Sequence, residues 1–280
     1  MSKLLVFQSD FGLVDGAVAA MYGVALGVDE DIKIYDLTHN IPPFNIWEAS
    51  YRMIQTVPYW PEGSVFVSVV DPGVGSSRKS VVAKTKQGQY IVSPDNGTLT
   101  HVKRLIGIEE VREIDEVKCR RQNSEHSYTF HGRDVYAYTG AQLASGKLSF
   151  EEVGETFPVE EIIEFDDIQA TLEDEVIKGS IDILDVRFGS LWTNISRDLF
   201  NQLGIQPKES VELSIFNGSI RIYQNRVVYG NTFADVNVGE IICYVNSMDH
   251  MAIAINQGNF AKAYNVGTQQ PWRVEFRKVN

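Results

Sequence analysis

Cysteine is scarce in this chain of 280 residues: the only two, Cys119 and Cys243, lie far apart, outside any CxxC or Cys/His spacing. That excludes a disulfide framework, gives no zinc-site or other metal-ligand pattern, and leads us to expect a reducing, cytoplasmic setting. Positive charge is also short. Lys and Arg number 25 against 37 Asp and Glu, for a formal net charge of -12, whereas a nucleic-acid surface needs clustered cations to displace counterions. No apolar run approaches the roughly 20 residues of a membrane-spanning helix, and the opening MSKLLVFQSD has too few apolar residues in a row for a signal peptide. Neither a nucleic acid nor a membrane is therefore expected as a partner. A phosphate loop is missing too. The stretch VVDPGVGSSRKS, residues 69–80, has Gly73 and Gly75 followed by Arg78 and Lys79, but it lacks the GxxxxGK[ST] spacing and no helix comes after it.

What is present is a change of texture along the chain. LLVFQS, IKIYDLT and SVFVSVV are short apolar runs, while DGAVAAMYGVALGV, NIWEASYRMIQTV and HGRDVYAYTGAQLAS place small and apolar residues at helical spacing. In the second of these, Ile46, Ser50, Met53, Ile54 and Val57 share one face. SVVAKTKQGQYIVS alternates as two strands around a glycine turn. Strands alternating with helices predict an N-terminal α/β domain with a mostly parallel sheet over residues 1–165. After the acidic stretch VEEIIEFDDIQATLEDE the pattern becomes short alternating runs broken by Gly and Asn, among them SVELSIFNG, SIRIYQN, EIICYVN, MAIAIN and WRVEFRK. This predicts a smaller, all-β, barrel-like C-terminal domain over residues 172–280.

Three polar clusters fall at strand ends of the first domain: QSDFGLVD at 8–15, VVDPGVGSSR at 69–78 and TFHGRD at 129–134. Ligands of open α/β sheets bind beyond the carboxyl ends of the strands. Each residue also has a bland reading. Asp10 and Asp71 suit a turn or helix cap, His131 suits a helix start with its ring on backbone, His39 and His126 suit structural or exposed places, and Arg133 with Asp134 suits a pair on a helix surface. Brought together, a carboxylate, an arginine and a histidine would orient and activate one water, the histidine accepting a proton near neutral pH.

Seven ordered motifs carry a resemblance that spans nearly the whole chain: SDFGLVDGAV (9–18), DLTHNIPPFNIWEAS (36–50), VVDPGVGSSR (69–78), SPDNGTLT (93–100), TFHGRDVYA (129–137), DVRFGSLWTNI (185–195) and YVNSMDHMAIAINQGN (244–259). The sequence resembles the S-adenosyl-L-methionine hydroxide adenosyltransferases, relatives of the fluorinase and chlorinase enzymes. The resemblance implies hydrolysis of S-adenosyl-L-methionine (SAM) to adenosine and methionine, with SAM as substrate, no cofactor and no metal. It also implies a homotrimer whose active sites lie between subunits. By matching motif, Asp71, Arg78 and His131 resemble the triad that positions the attacking water. Asp10 matches the group on the ribose hydroxyls, and Phe44, Phe188 and Phe233 match aromatics that pack on the nucleoside. Asp185 and Ser247 resemble groups on the methionine amine and carboxylate, while Asn256 and Gln257 lie where backbone reads adenine.

The chain also departs from the family pattern. Ser190 stands where an asparagine is expected on adenine, Met248, Asp249 and His250 replace a small or glycine-containing run, and Thr98 replaces a common leucine. Two other readings stand beside hydrolysis. One is a halogenase, but the halogenases carry tyrosine in place of Asp71, tyrosine in place of His131 and serine in place of Gly132, and an anionic Asp71 repels a halide. The other is a non-catalytic sensor of an adenosyl ligand.

Overall fold

The computed structural model describes residues 3–279, and the apolar runs of the first half become strands, LLVFQS and SVFVSVV covered on both faces and IKIYDLT partly exposed at the sheet edge. In chain order they are β1 (Leu4–Ser9), α1 (Ala17–Val28), β2 (Lys33–Thr38), α2 (Ile46–Thr56), β3 (Val65–Val69), β4 (Ser80–Thr85), β5 (Tyr90–Pro94), α3 (Thr100–Leu105) and β6 (Ile108–Glu113). One turn of π-helix, Gly132–Ala137, then runs into α4 (Tyr138–Ser145). The sheet has six strands in the order β2-β1-β3-β5-β4-β6, and β4 alone runs against its neighbours.

Alternation within each strand divides the core in two. Leu5, Phe7, Val65, Val67 and Val69 face α1 and α4, where Met21, Ala141 and Leu143 complete one cluster. Val6, Phe66 and Ile91 face α2 and α3, where Met53 and Val102 complete the other. Burying each of these large side chains contributes about 1.5–3 kcal/mol, which is why the strands read as continuous apolar runs rather than as alternation. Gly140 brings α4 down onto β3, since a Cβ there would stand 2.5 Å from Val67 Cγ2. The start of that helix is thereby fixed over the end of β3.

The chain divides between Phe165 and Asp166 into two compact units. The second contains β7 (Thr171–Glu173), β8 (Val176–Leu184), β9 (Leu191–Ser196), β10 (Ser210–Asn217), β11 (Ile220–Tyr229), β12 (Ile241–Val245), β13 (His250–Ile255) and β14 (Trp272–Lys278). Its order is β14-β10-β11-β12-β13-β9-β8-β7, and a further β14–β8 pairing closes seven of the strands into a barrel. The short β7 lies on β8 outside the closure. Leu213, Ile215, Met251, Ile253, Val274 and Phe276 fill the interior. The expected α/β-then-barrel architecture is present, with three strands that alternation does not announce. β6 buries Ile108 and Val111, three residues apart, because its register slips opposite Lys84 and Thr85. In β9 the buried partner of Leu191 and Ile195 is the polar Thr193, and β7 spans only 3 residues.

Candidate active site

The parallel pairing of β1 with β3 sets Ser9 opposite Val69, so the chain leaves both strands at the same edge and Asp10 and Asp71 line one cavity of about 240 Å³. Phe44, Phe11, Phe130, His131 and Gly132 line it as well. Asp10 is tied to the aromatic wall, its Oδ2 accepting from the Phe44 N–H at 2.9 Å. Phe44 has φ of 67° and is 70% exposed. A bulky side chain in the left-handed region costs about 1–3 kcal/mol and persists where a site demands it. The Asp10 loop is anchored from behind, because Ser9 Oγ lies 2.7 Å from His39 Nδ1 and His39 Nε2 lies 3.1 Å from Asp36 Oδ1. His39 is buried, as a structural histidine should be, and burial holds it below the ordinary histidine range despite Asp36.

Asp71 and Arg78 form the centre of the site. Arg78 Nε donates to both carboxylate oxygens of Asp71 at 3.0 and 3.1 Å, and Nη2 donates to Oδ2 at 2.6 Å. The remaining fork arm, Nη1, donates to Ser80 Oγ at 2.8 Å. Burial works against the Arg78 charge, but the hydrogen bonds and charge of Asp71 and the nearby Glu116 outweigh it and raise its pKa above the ordinary arginine value. Asn96 holds the loop in place by donating to the Val70 carbonyl at 2.9 Å. Thr98, one of the departures from pattern, donates to Asn96 Oδ1 at 2.8 Å and so supports that anchor.

His131 begins the π-helical turn and is buried. Its ring bonds to side chains and not to backbone: Nδ1 lies 3.0 Å from Arg78 Nη2 and Nε2 lies 3.1 Å from Arg120 Nη2. Burial first, then the charges of Arg78 and Arg120 against those of Glu116 and Asp71, put its pKa below the ordinary histidine range. Neither nitrogen is free to take a proton, which differs from the proton-accepting histidine expected from residue type. Asp134 is no surface residue either. It is fully buried with Arg121 Nε at 2.9 Å and Arg133 Nη2 at 2.7 Å.

Thus five of the proposed site residues, Asp10, Phe44, Asp71, Arg78 and His131, come together in the first unit. The sequence reading missed Ser80, Tyr136, Glu116 and Arg120, which surround the triad. Glu116 Oε1 accepts from Ser80 Oγ at 2.7 Å and Oε2 from Arg120 Nη2 at 3.1 Å, while Ser80 Oγ lies 3.1 Å from the Tyr136 hydroxyl. The only trace in the sequence is an acid four residues before a base in EVKCR, a spacing shared by many helix surfaces.

In the second unit Asp185, Phe188 and Ser190 occupy the tight β8–β9 turn. The Asp185 carboxylate accepts from the N–H groups of Arg187 at 3.1 Å and Phe188 at 3.2 Å, and Gly189 takes φ of 68°. Ser190 is buried and hydrogen-bonded to the Tyr244 side chain. Tyr244 in turn packs on Phe233 with centroids 5.1 Å apart. Phe188 and Phe233 are 66% and 42% exposed. Asn256 turns its amide to the carbonyls of Phe233 and Val236, both at 3.0 Å. Its backbone N–H and C=O are also engaged, with Glu240 and Gly239 at 2.8 Å each. Gln257 beside it has φ of 56°. Ser247 lies at the β12–β13 turn, the opposite end of β13 from Gln257. In that turn Asn246 Oδ1 accepts from the N–H groups of Met248 at 2.9 Å and His250 at 3.1 Å. Asp249, at φ of 61°, occupies a conformation that glycine adopts more readily, and its carboxylate pairs with Arg197 Nε at 2.7 Å.

Two family models match the chain, the SAM hydroxide adenosyltransferase N-terminal domain over residues 5–154 and the corresponding C-terminal domain over residues 179–273. The chain belongs to this family. Within it, the (R)-S-adenosyl-L-methionine hydrolase of Methanocaldococcus jannaschii is 36% identical over 270 residues, covering 94% of this chain and 92% of that protein. A fluorinase of Actinopolyspora mzabensis is 28% identical over 97% of this chain and 96% of its own length. A crystal structure of a conserved protein from Thermotoga maritima superposes with a TM-score of 0.89 at 32% identity, covering 98% of this chain and all (100%) of that one. Among the described residues of this adenosyltransferase-family chain, no three His, Cys, Asp or Glu side chains are grouped as a metal ion would require, and no helix is long and apolar enough to cross a membrane.

Proposed function

We propose that this protein hydrolyses SAM to adenosine and L-methionine. The observation that carries the reading is the interlocked Asp71–Arg78–His131 group, whose Asp71 and His131 line the same cavity as Asp10 and Phe44. In the reaction a water oxygen bonds to C5′ as the C5′–sulfur bond breaks. The sulfur keeps the electron pair and leaves as the neutral thioether of methionine, and the water loses one proton to Asp71 or to solvent. The leaving group needs no proton, so the work is largely positioning, which contributes about 7–11 kcal/mol in well-oriented cases. Asp10 takes the ribose hydroxyls, and Asp71 orients the water. Phe44, Phe188 and Phe233 offer aromatic faces to the nucleoside and the sulfonium, each cation–π contact being worth about 0.5–2 kcal/mol. Asp185 and Ser247 take the methionine end. Ser190 and the backbone at Gln257 take the adenine, since Asn256 is engaged within its own loop.

The active form in this reading is a homotrimer acting in the cytoplasm without metal or cofactor, each site completed by the barrel of a neighbour. Halogenation is disfavoured by the buried carboxylate of Asp71, which repels a halide where it attracts the hydrogens of water. Chromatography of the purified protein incubated with SAM tests the proposal. Adenosine and methionine in equal amounts, undiminished by a chelator, are expected. Halogenated adenosine in the presence of halide, or no product, overturns it. Light scattering should give three times the chain mass, and a monomer that is fully active on dilution rules out the shared site.

A further inference from the structure

His131 is held on both sides by cations. A neutral imidazole has one lone pair and one N–H, yet guanidinium donors approach both of its nitrogens, Arg78 Nη2 at 3.0 Å and Arg120 Nη2 at 3.1 Å. An added proton would turn both nitrogens into donors, each aimed at another donor. Arg120 is not a mobile surface cation, for it is buried and its guanidinium lies 4.9 Å from the Tyr128 ring centroid. Glu116 holds it at 3.1 Å and reaches Ser80 with its other oxygen at 2.7 Å. Because Ser80 accepts from Arg78, the contacts close into a ring running Arg78, Ser80, Glu116, Arg120, His131 and back to Arg78.

We infer that Arg120, fixed by Glu116, is a positioning residue of this site: it clamps His131 as an uncharged ring against Arg78 and so keeps Arg78 turned onto Asp71. The inference rests on the proposed water-attacking site, but its structural half stands apart from catalysis. Every charged or titratable group facing the ring enters the balance. Arg78 and Arg120 oppose its protonation, Asp71 favours it, and Glu116, with Oε1 3.8 Å from Nδ1, favours it too while its charge is shared with Arg120. Tyr128 and Tyr136 face the ring edge-on with centroids 6.3 and 6.5 Å away, and burial raises the Tyr136 pKa, so it brings no charge. The proton released by the water therefore does not go to this ring.

The test is a titration of ¹⁵N-histidine-labelled full-length protein by NMR, with His131→Asn assigning the signal, alongside turnover of SAM against pH. In the wild type the His131 signals should keep the neutral pattern down to about pH 5. Arg120→Gln should move the titration upward by about one pH unit or more, and its turnover should fall about twofold or more between roughly pH 7.5 and 5 as the ring charges. Arg120→Lys, which restores the charge, should recover most of this acid tolerance, and Glu116→Gln should move the titration the other way. A wild-type His131 that titrates at about 6.5 overturns the inference even if Arg120→Gln does not fold. So does an Arg120→Gln protein whose titration and acid limb match the wild type while turnover drops at every pH. A wild type inactive on SAM refutes the proposed function instead, and the NMR titration still decides the clamp.

Discussion

Replacing Asp71 by asparagine separates its structural from its chemical role, because the shape survives and the charge does not. The Asp71 and Arg78 side chains are only 5% and 9% exposed, so the change leaves a nearly buried guanidinium without its counter-charge. Removing one partner of a buried pair costs about 3–5 kcal/mol. The amide oxygen still accepts from Arg78, which brings the expected loss to roughly 2–3 kcal/mol, read as a lower urea midpoint at unchanged slope. Turnover should fall further than this destabilisation explains. Measured by adenosine release well below the unfolding transition, kcat is expected to drop about 10²-fold or more, the range of a positioned acid or base, with KM changed far less. Arg78→Gln in the same chain should return most of the stability, since the stranded charge is gone, and none of the turnover. Arg78→Ala and His131→Ala should lose turnover comparably, and double variants should lose less than the sum, as groups that act as a unit do. A folded Asp71→Asn protein within about threefold of wild-type kcat would refute the assignment, since a positioned group is worth far more than that.

Three further outcomes are expected. Burial and the charge of Arg104 lower His101 to about 4, so between about pH 6.5 and 4 the unfolded chain binds the proton that the folded chain refuses. Stability should fall with pH across that window by up to about 3 kcal/mol, and His101→Gln should flatten the loss in urea melts taken at several pH values. A Cβ on Gly132 would meet Val69 Cγ1 at 3.0 Å and the Phe11 ring at 3.2 Å, so Gly132→Ser should lower Tm by the equivalent of about 1–3 kcal/mol of overpacking and reduce turnover by displacing Phe11. Gly189→Ala places a Cβ 2.0 Å from Asn259 Oδ1 at φ of 68°, which should lower thermal stability and raise KM for SAM together.

The fold was legible wherever burial and periodicity coincide. β1 and β3 are apolar because both faces are covered, and α2 shows its buried stripe at Ala49, Ser50, Met53 and Ile54. β9 was hidden because one of its inward residues is Thr193. Asp10, Asp71, Arg78 and His131 stood out in motifs that end strands or open a helix, Phe44 only through the family resemblance, and β1–β3 pairing then explains why two distant aspartates meet. Glu116 and Arg120 left no such trace. They lie in a stretch without helix or strand, and what joins them to the triad is the fold of residues 114–131 over β4, not any local spacing. The lowered pKa of His131 was equally unreadable, because it arises from burial and from guanidinium groups 53 and 11 positions away.

The π-helical turn after His131 has a consequence for how such chains vary. It holds one residue more than an α-helical turn of the same reach, and α4 beyond it is locked to β3 through Gly140 and Val67. A single-codon deletion within 132–137 would relax the turn to ordinary pitch over the same reach, leaving His131 and α4 facing as before while only residues inside the turn change face. The ring would keep both guanidinium groups, and the change would be confined to the side chains of the turn itself. The turn thus works as a slack link: it can give back one residue of sequence length without moving the histidine at its start or the helix beyond it.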